Sequence, residues 1–311
     1  MVPTRDGGTR FRACLEALAG QRPAPDALVV IDSGSTDGSA EAARTAGAHV
    51  EQIAPEDFDH GGTRNAGAAA LPDGLDTIVF LVQDAVPQGE GCLAALAEAA
   101  HAPGVAAATA RQVAPADTGF LTASTVSASP FASEESRRTG PLDADGRGKL
   151  SPSDWRGLLM LDNVACAVRG DLFRELGFRQ TMHGEDALLA YDLLCGGWAL
   201  QHEPRAVVEH GHAYDAESVA PRYRDDACFF REIFGLRVRP DLLSLLKGYH
   251  AELRRDRRWL AAHPDDVPSD ALRSARRLRW AQVLAQREGS RGPLGSLPDP
   301  RPVAAPTEPA R

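Results

Sequence analysis

Two short apolar runs, Ala27–Asp32 (ALVVID) and Thr77–Gln83 (TIVFLVQ), constrain this chain more than any other feature. Each is continuous rather than alternating and rich in β-branched residues. That is the mark of a strand buried on both faces, as in parallel sheets covered by helices on either side. Helical patterns at Thr9–Ala19, Gly38–Ala46 and Thr63–Ala70 surround them, followed by another at Gly91–His101 and a further strand at Val105–Ala110. This β-α-β-α order predicts an α/β fold: an open, mostly parallel sheet flanked by helices. The pattern asks for a full strand ahead of Thr4, where only Met1–Pro3 stand, so the first strand is expected to be clipped.

Past residue 113 the texture changes. Residues 113–157, rich in Ser, Thr, Asp, Gly and Pro, read as a long, partly mobile excursion. Asn163–Val168 returns as a strand, Asp186–Leu194 as a helix, and Trp198–Gln201 and Ala206–His210 as two short strands. From Pro221 to about Arg287 the pattern is helical and arginine-rich, and Gly289–Arg311 is expected to be a disordered tail. The expected organisation is therefore a domain over residues 1–215, a helical extension over 216–288 and a tail over 289–311.

The chain carries 34 basic and 43 acidic residues, a net charge of -9, unevenly spread. Residues 1–230 hold 18 basic against 33 acidic side chains, and residues 231–291 hold 14 against 8. An acidic body argues against nucleic acid as a partner and suits a protein that holds a divalent cation among carboxylates. Uncharged apolar runs of about 18 residues are absent, so no transmembrane helix is expected. Met1–Arg10 lacks the basic-then-apolar layout of a secretory signal, which makes a cytoplasmic protein the expectation. The 5 cysteines are scattered and never spaced as CxxC, which excludes a disulfide framework and a cysteine zinc site.

Ligands of such sheets gather at the carboxyl ends of the strands. Asp32–Gly38 (DSGSTDG) follows the first run, where small residues admit a nucleotide and Asp32 can accept from base or ribose; an ordinary turn is the alternative. Gln83-Asp84 follows the second run, where a carboxylate can hold a hard cation or simply sit in a loop. His60–Asn65 (HGGTRN) opens a helix, favouring an anion that Arg64 could neutralise, or plain capping. Glu185 and Asp186 open another helix, as dipole complements or with one as general base. His210 and His212, spaced i, i+2 at a strand end, fall on one face; imidazole suits Mn²⁺ better than Mg²⁺.

In this order and spacing the clusters resemble the family 2 glycosyltransferases, which have the GT-A fold. The likeness covers about Val2–Tyr214. It rests on Val2–Gly8 (VPTRDGG), VVIDSGSTDGS, Phe58–Gly67 (FDHGGTRNAG), Phe80–Pro87 (FLVQDAVP), Asn163–Arg169, GED at 184–186 and Pro204–His212 (PRAVVEHGH). Phe58–Gly67 and Phe80–Pro87 are similar to the branch that includes bacterial rhamnosyltransferases. The resemblance implies an inverting transfer of a sugar, in that branch L-rhamnose, from a dTDP- or UDP-linked donor to a hydroxyl of a glycan or lipid-linked acceptor in cell-surface polysaccharide or glycolipid synthesis. It implies that Pro3, Thr4 and Arg5 line the base pocket, that Asp32 and Ser33 contact base and ribose, and that Arg64 approaches the diphosphate. Gln83 and Asp84 stand where the family places its Asp-x-Asp metal motif. Asp84 with His210 or His212 would hold Mn²⁺ or Mg²⁺, and Asp186, supported by Glu185, would be the catalytic base.

This sequence departs from the family at Gln83, where an acid is usual, at Ser33, where some members have Asp, and at Asp6, often Asn. With the clipped first strand, these leave a catalytically impaired sugar-nucleotide binder as an alternative. Gly7–Arg10 (GGTR) hints at a sugar nucleotidylyltransferase, a class in which the GED and HGH elements have no part. Arg254–Trp259 and Arg273–Trp280 mix arginine with Trp as interfacial helices do, so peripheral membrane contact, a homodimer face and a solvated cap all stay open.

Overall fold

The computed structural model describes residues 1–181, 183–212, 216–264 and 269–306. The expected boundary at residue 215, the end of the family likeness at Tyr214 and the final tail residues 307–311 lie outside the described residues.

Strands β1 (Val2–Thr4), β2 (Val29–Asp32) and β3 (His49–Gln52) pair in parallel, with β1 beside β2 and β2 beside β3. Helices α1 (Gly8–Ala19) and α2 (Ser39–Thr45) connect them, and α3 (His60–Ala69) leads on to β4 (Thr77–Leu81). The clipped first strand is paired on both sides. Met1 donates from its nitrogen to the Val79 carbonyl (2.8 Å) and accepts from Leu81 N–H (3.1 Å), joining the first three strands to β4. Val2 is fully buried.

The second half of the sheet is mixed. After β5 (Val86–Gln88) and α4 (Cys92–Ala100) come β6 (Val105–Val113), β7 (Arg137–Thr139), β8 (Ala165–Arg169) and β9 (Ala199–Glu209). The order is β4-β8-β6-β9-β5, with β7 also on β9. β6 and β9 are parallel, whereas β8 is antiparallel to both β4 and β6. The two short strands expected at 198–210 are one strand, β9, with a register shift opposite Ala110 and Arg111. β6 opens on Val-Ala-Ala-Ala, small side chains that let the alanine-rich α4 sit close against the sheet.

The excursion at 113–157 holds regular structure rather than a mobile loop: α5 (Phe120–Ser127), β7, α6 (Ala144–Lys149) and α7 (Pro152–Leu158). Ser151 and Asp154 form a capping box on α7, which plants Trp155 in the core at 1% exposure. After α8 (Gly170–Leu176) and α9 (Glu185–Cys195), three long helices follow: α10 (Ala216–Phe234), α11 (Leu242–Ala262) and α12 (Ala271–Gly289).

The segment expected to be a disordered tail takes no helix or strand over residues 290–306, yet it is held. Tyr191 Oη donates to the Pro298 carbonyl, Trp198 Nε1 to that of Ala304, and Arg301 reaches the buried Asp192. None of the described helices is long and apolar enough to cross a membrane.

Candidate active site

The ends of β1, β2 and β4 meet, and side-chain hydrogen bonds fix the loops that leave them. Asp6 and Asp37 exchange places across two loops: Asp6 Oδ1 accepts from Thr36 N–H (2.7 Å), and Asp37 Oδ2 accepts from Gly8 N–H (2.8 Å). Asp6 adopts a φ of 44°, a left-handed conformation that Asp and Asn tolerate better than most residues. Pro3 and Thr4 are buried and Arg5 is exposed. Asp32 is fully buried and accepts from Ser35 N–H (3.3 Å) and the Gln52 amide (3.0 Å), while Ser33 N–H donates to the Thr4 carbonyl (2.9 Å).

Gln83, expected with Asp84 at the nucleotide sugar, is held by the β1 loop. Its Oε1 accepts from Thr4 Oγ1 (2.7 Å) and Arg5 N–H (2.8 Å), and its Nε2 donates to the Arg5 carbonyl (3.2 Å). The amide clamps the β1 loop to the end of β4, and a carboxylate there could not give the last of these bonds.

Asp84 does meet both histidines. His210 Nε2 lies 3.8 Å from Asp84 Oδ1, and His212 Nδ1 lies 3.5 Å from Asp84 Oδ2. The two rings stand edge-to-face with centroids 4.8 Å apart, and one donor atom from each of the three residues fits within 4.8 Å of the others. Burial lowers the proton affinity of both rings, with Arg222 adding to the effect; His212 falls to about 4. Both are neutral imidazoles at neutral pH, the form that binds a metal. One carboxylate and two imidazoles fit Mn²⁺ better than an all-oxygen Mg²⁺ site.

Asp186 stands at the start of α9 behind Gly184, whose φ of 74° turns the chain into the helix. Its Oδ1 accepts from Ala187 N–H (2.7 Å) and its Oδ2 from Asn163 N–H (3.2 Å). Burial, then the charges of Glu185 and Asp162, raise its pKa to about 8. A carboxylate this basic is well matched to taking a proton from a hydroxyl. Glu185, 5% exposed, accepts from the Asn163 amide (2.8 Å) and pairs with Arg64 (3.1 Å).

Arg64, expected near the diphosphate, is buried: its Nη1 pairs with Glu185 and donates to the His60 carbonyl (2.9 Å). The start of α3 is likewise taken, since Asp59 caps it by accepting from Gly62 N–H (2.5 Å).

Asp186 and His212 line one open cleft of about 710 Å³, together with His60, Arg156, Tyr223 and Phe230. Thr4, Asp32 and Ser33 are not among its lining residues. Asp162 escaped the sequence reading. Its carboxylate accepts from the Gln112 amide (2.8 Å) and Val164 N–H (2.9 Å), close enough to raise the proton affinity of both Asp186 and His210. The signal was there: an acid directly before the strand that begins near Asn163. Arg156, Asp226, Phe229 and Phe230 gave no signal, because α7 and α10 come together only in the fold.

Comparison with known proteins accords with this geometry. Residues 1–155 match the family described as Glycosyl transferase family 2. The chain is 31% identical over 233 residues to the O-antigen chain rhamnosyltransferase RfbN of Salmonella typhimurium, covering 74% of this chain and 71% of that one. It is 29% identical over 236 residues to the O-antigen chain rhamnosyltransferase WbaN of Salmonella anatum, with 74% and 70% covered. In structure it resembles the mannosyltransferase PcManGT of Pyrobaculum calidifontis, solved with GDP-Man and Mn²⁺, at a TM-score of 0.53 and 16% identity over 92% of this chain and 84% of that one. The chain belongs to the family 2 glycosyltransferases and has their GT-A fold.

Proposed function

We propose that this glycosyltransferase moves L-rhamnose from a thymidine diphosphate donor to a hydroxyl of a growing surface glycan, with inversion at the anomeric carbon. The sugar and the glycan follow the O-antigen chain rhamnosyltransferase activity of the two Salmonella relatives. The observation that carries the chemistry is the placement of Asp186 and of His212 from the Asp84–His210–His212 donor set on one cleft.

In this reading the acceptor hydroxyl enters the cleft and gives its proton to the Asp186 carboxylate. Its oxygen bonds to the anomeric carbon, and the bond from that carbon to the diphosphate oxygen breaks, the electron pair leaving with the diphosphate. Asn163 and Ala187 N–H groups fix the direction of the carboxylate. Asp84, His210 and His212 would hold Mn²⁺, which when bound supplies positive charge for the departing diphosphate. Phe229 and Phe230 give the cleft an apolar wall on which a sugar ring can rest, and Arg156 and Asp226, paired at 2.7 Å, give it a polar edge.

The test is calorimetric titration with dTDP and UDP, each with and without Mn²⁺, followed by anomeric analysis of the product. Metal-dependent binding of dTDP and an inverted linkage support the reading. A retained anomeric configuration would exclude Asp186 as base, and tighter binding of UDP would move the donor class.

A further inference from the structure

The α11–α12 hairpin carries a surface that sugar transfer does not use. Inside, the hairpin is held by a buried ion pair. Arg279, 0% exposed, forks onto Asp256 through Nε and Nη2 (both 2.8 Å), and Asp256 also accepts from Ser124 of α5 (2.7 Å). Leu253, Leu260, Ala271 and Ala275 pack there with Phe120.

Outside, where the start of α11 meets the second half of α12, large apolar side chains face solvent. Leu242 is 65% exposed, Leu243 61%, Leu246 45%, Leu284 44% and Trp280 41%. Tyr249 of α11 meets Trp280 of α12 edge-to-face at 5.2 Å, which joins the exposed faces of the two helices at that point. Around it, Lys247, Arg254, Arg273, Arg276 and Arg277 are exposed. Among the described residues, the hairpin's ion pairs use the inward Arg255 and Arg279, and Arg273, Arg276 and Arg277 enter none of them.

We propose that this face docks the protein on an anionic phospholipid surface. The patch is a ridge of leucines and one Trp, an indole suited to the boundary between head groups and acyl chains, rather than a groove shaped for a peptide. Charge selects the occupant. Residues 231–291 carry 14 basic against 8 acidic side chains, while residues 1–230 carry 18 against 33. An anionic surface therefore attracts this face and repels the rest of the molecule, which fixes one orientation. A second copy seated on the same patch would bring two arginine rims together around the apolar centre, and like charges oppose that. The docking goes beyond the transfer reading and stands without it.

The experiment is co-sedimentation of the full chain with vesicles of phosphatidylglycerol and phosphatidylcholine, against phosphatidylcholine alone. The expected result is binding to the anionic vesicles that weakens about tenfold in neutral vesicles and is lost as salt rises from about 0.1 M to about 0.5 M. The double variants Trp280→Ser/Leu284→Ser and Arg276→Glu/Arg277→Glu should each lose about tenfold or more while keeping the parent melting temperature and the parent rate on a soluble acceptor. Failure of the parent to bind anionic vesicles, or equal binding by both variants, would overturn the proposal. So would a solution dimer that Trp280→Ser/Leu284→Ser converts to monomer, since the patch would then belong to a second copy. The solution rate separates this outcome from failure of the transfer reading.

Discussion

Arg64 Nη1 lies 3.1 Å from Glu185 Oε1, and both side chains are almost wholly buried, with Glu185 next in sequence to the proposed base Asp186. The pair holds one end of a short chain: Glu185 accepts from the Asn163 side chain, and the Asn163 backbone donates to Asp186. Arg64 is thus linked to Asp186 through Glu185 and Asn163.

Breaking that pair should be costly. Arg64→Met leaves a buried carboxylate without its cation, and a loss of about 3–5 kcal/mol is expected in urea unfolding. Arg64→Lys keeps the charge and removes Nε, a buried group without a hydrogen-bond partner among the described residues, so it should cost clearly less. Equal losses for the two variants would mean that packing, not charge, sets the role of Arg64.

Asp186 links catalysis to stability through pH. Its pKa is about 8 in the fold against an ordinary 3.8, so the folded protein holds this proton more tightly than the unfolded chain. The stability this gives is fully present below about pH 4 and is lost as pH rises through about 8. Asp186→Asn removes the dependence. The stability of the variant relative to the parent should grow from pH 5 to pH 8 and level off above, as read by urea unfolding at several pH values. The same variant should lower kcat by about 10²–10⁴-fold with nucleotide affinity nearly unchanged. A stability difference independent of pH would show that Asp186 is not the buried, proton-holding group.

Gln83 separates two views of the turn after β4. If the position is a weakened metal ligand, Gln83→Glu should strengthen Mn²⁺ binding. Its three bonds to Thr4 and Arg5 argue the reverse. The variant loses the donor to the Arg5 carbonyl, and a stability loss of about 1 kcal/mol with weaker dTDP binding is expected. Tighter Mn²⁺ binding by calorimetry would refute the clamp.

The donor set of Asp84, His210 and His212 should bind Mn²⁺ well into the acid range. Protons compete with a metal only near a ring's own pKa, and burial brings His212 down to about 4. The midpoint for loss of Mn²⁺ affinity is therefore expected below the value of about 6.5 usual for a free imidazole. Asp84→Ala should abolish binding at every pH; a midpoint at or above 6.5 would place the metal elsewhere.

Much of this arrangement is legible in the sequence because strand ends follow from β-branched runs, and ligands follow strand ends. That logic reaches Asp32, Asp84 and the two histidines, whereas Asp186 is read from a helix start. It does not give strand direction, since a run such as Ala165–Arg169 reads as buried whether it lies parallel or antiparallel to β4. β3 (HVEQ) is missed because three of its four residues are exposed and polar, so no apolar run marks it. The Arg64–Glu185 pair is hidden for a different reason: its members lie more than a hundred residues apart, and spacing within the motif says nothing of which way a long side chain turns.

The segment after α12 was misread for the same reason, and Arg301 tests it. Composition alone makes residues 290–306 look unfolded, yet Asp192 of α9, fully buried, accepts from Arg179 (Nη2 2.7 Å, Nε 3.0 Å) and from Arg301 (Nε 2.7 Å, backbone N–H 2.9 Å). Arg301 also gives Nη1 to the Leu176 carbonyl (2.5 Å) and Nη2 to that of Gly177 (2.8 Å), just past the end of α8. A planar fork serving a carboxylate and two carbonyls is a task for arginine that lysine cannot repeat. Arg301→Ala removes one of the four hydrogen bonds to Asp192 and both bonds to the Leu176 and Gly177 carbonyls, and a loss of about 1–3 kcal/mol is expected, a fall of several degrees in melting temperature for a chain of this size. Arg301→Lys should recover little of it. In limited proteolysis the parent should resist cleavage between residues 290 and 306, and Arg301→Ala should be clipped there first. A variant that melts within about one degree of the parent and is cut no faster would mean that the segment contributes nothing to holding α8 and α9 together.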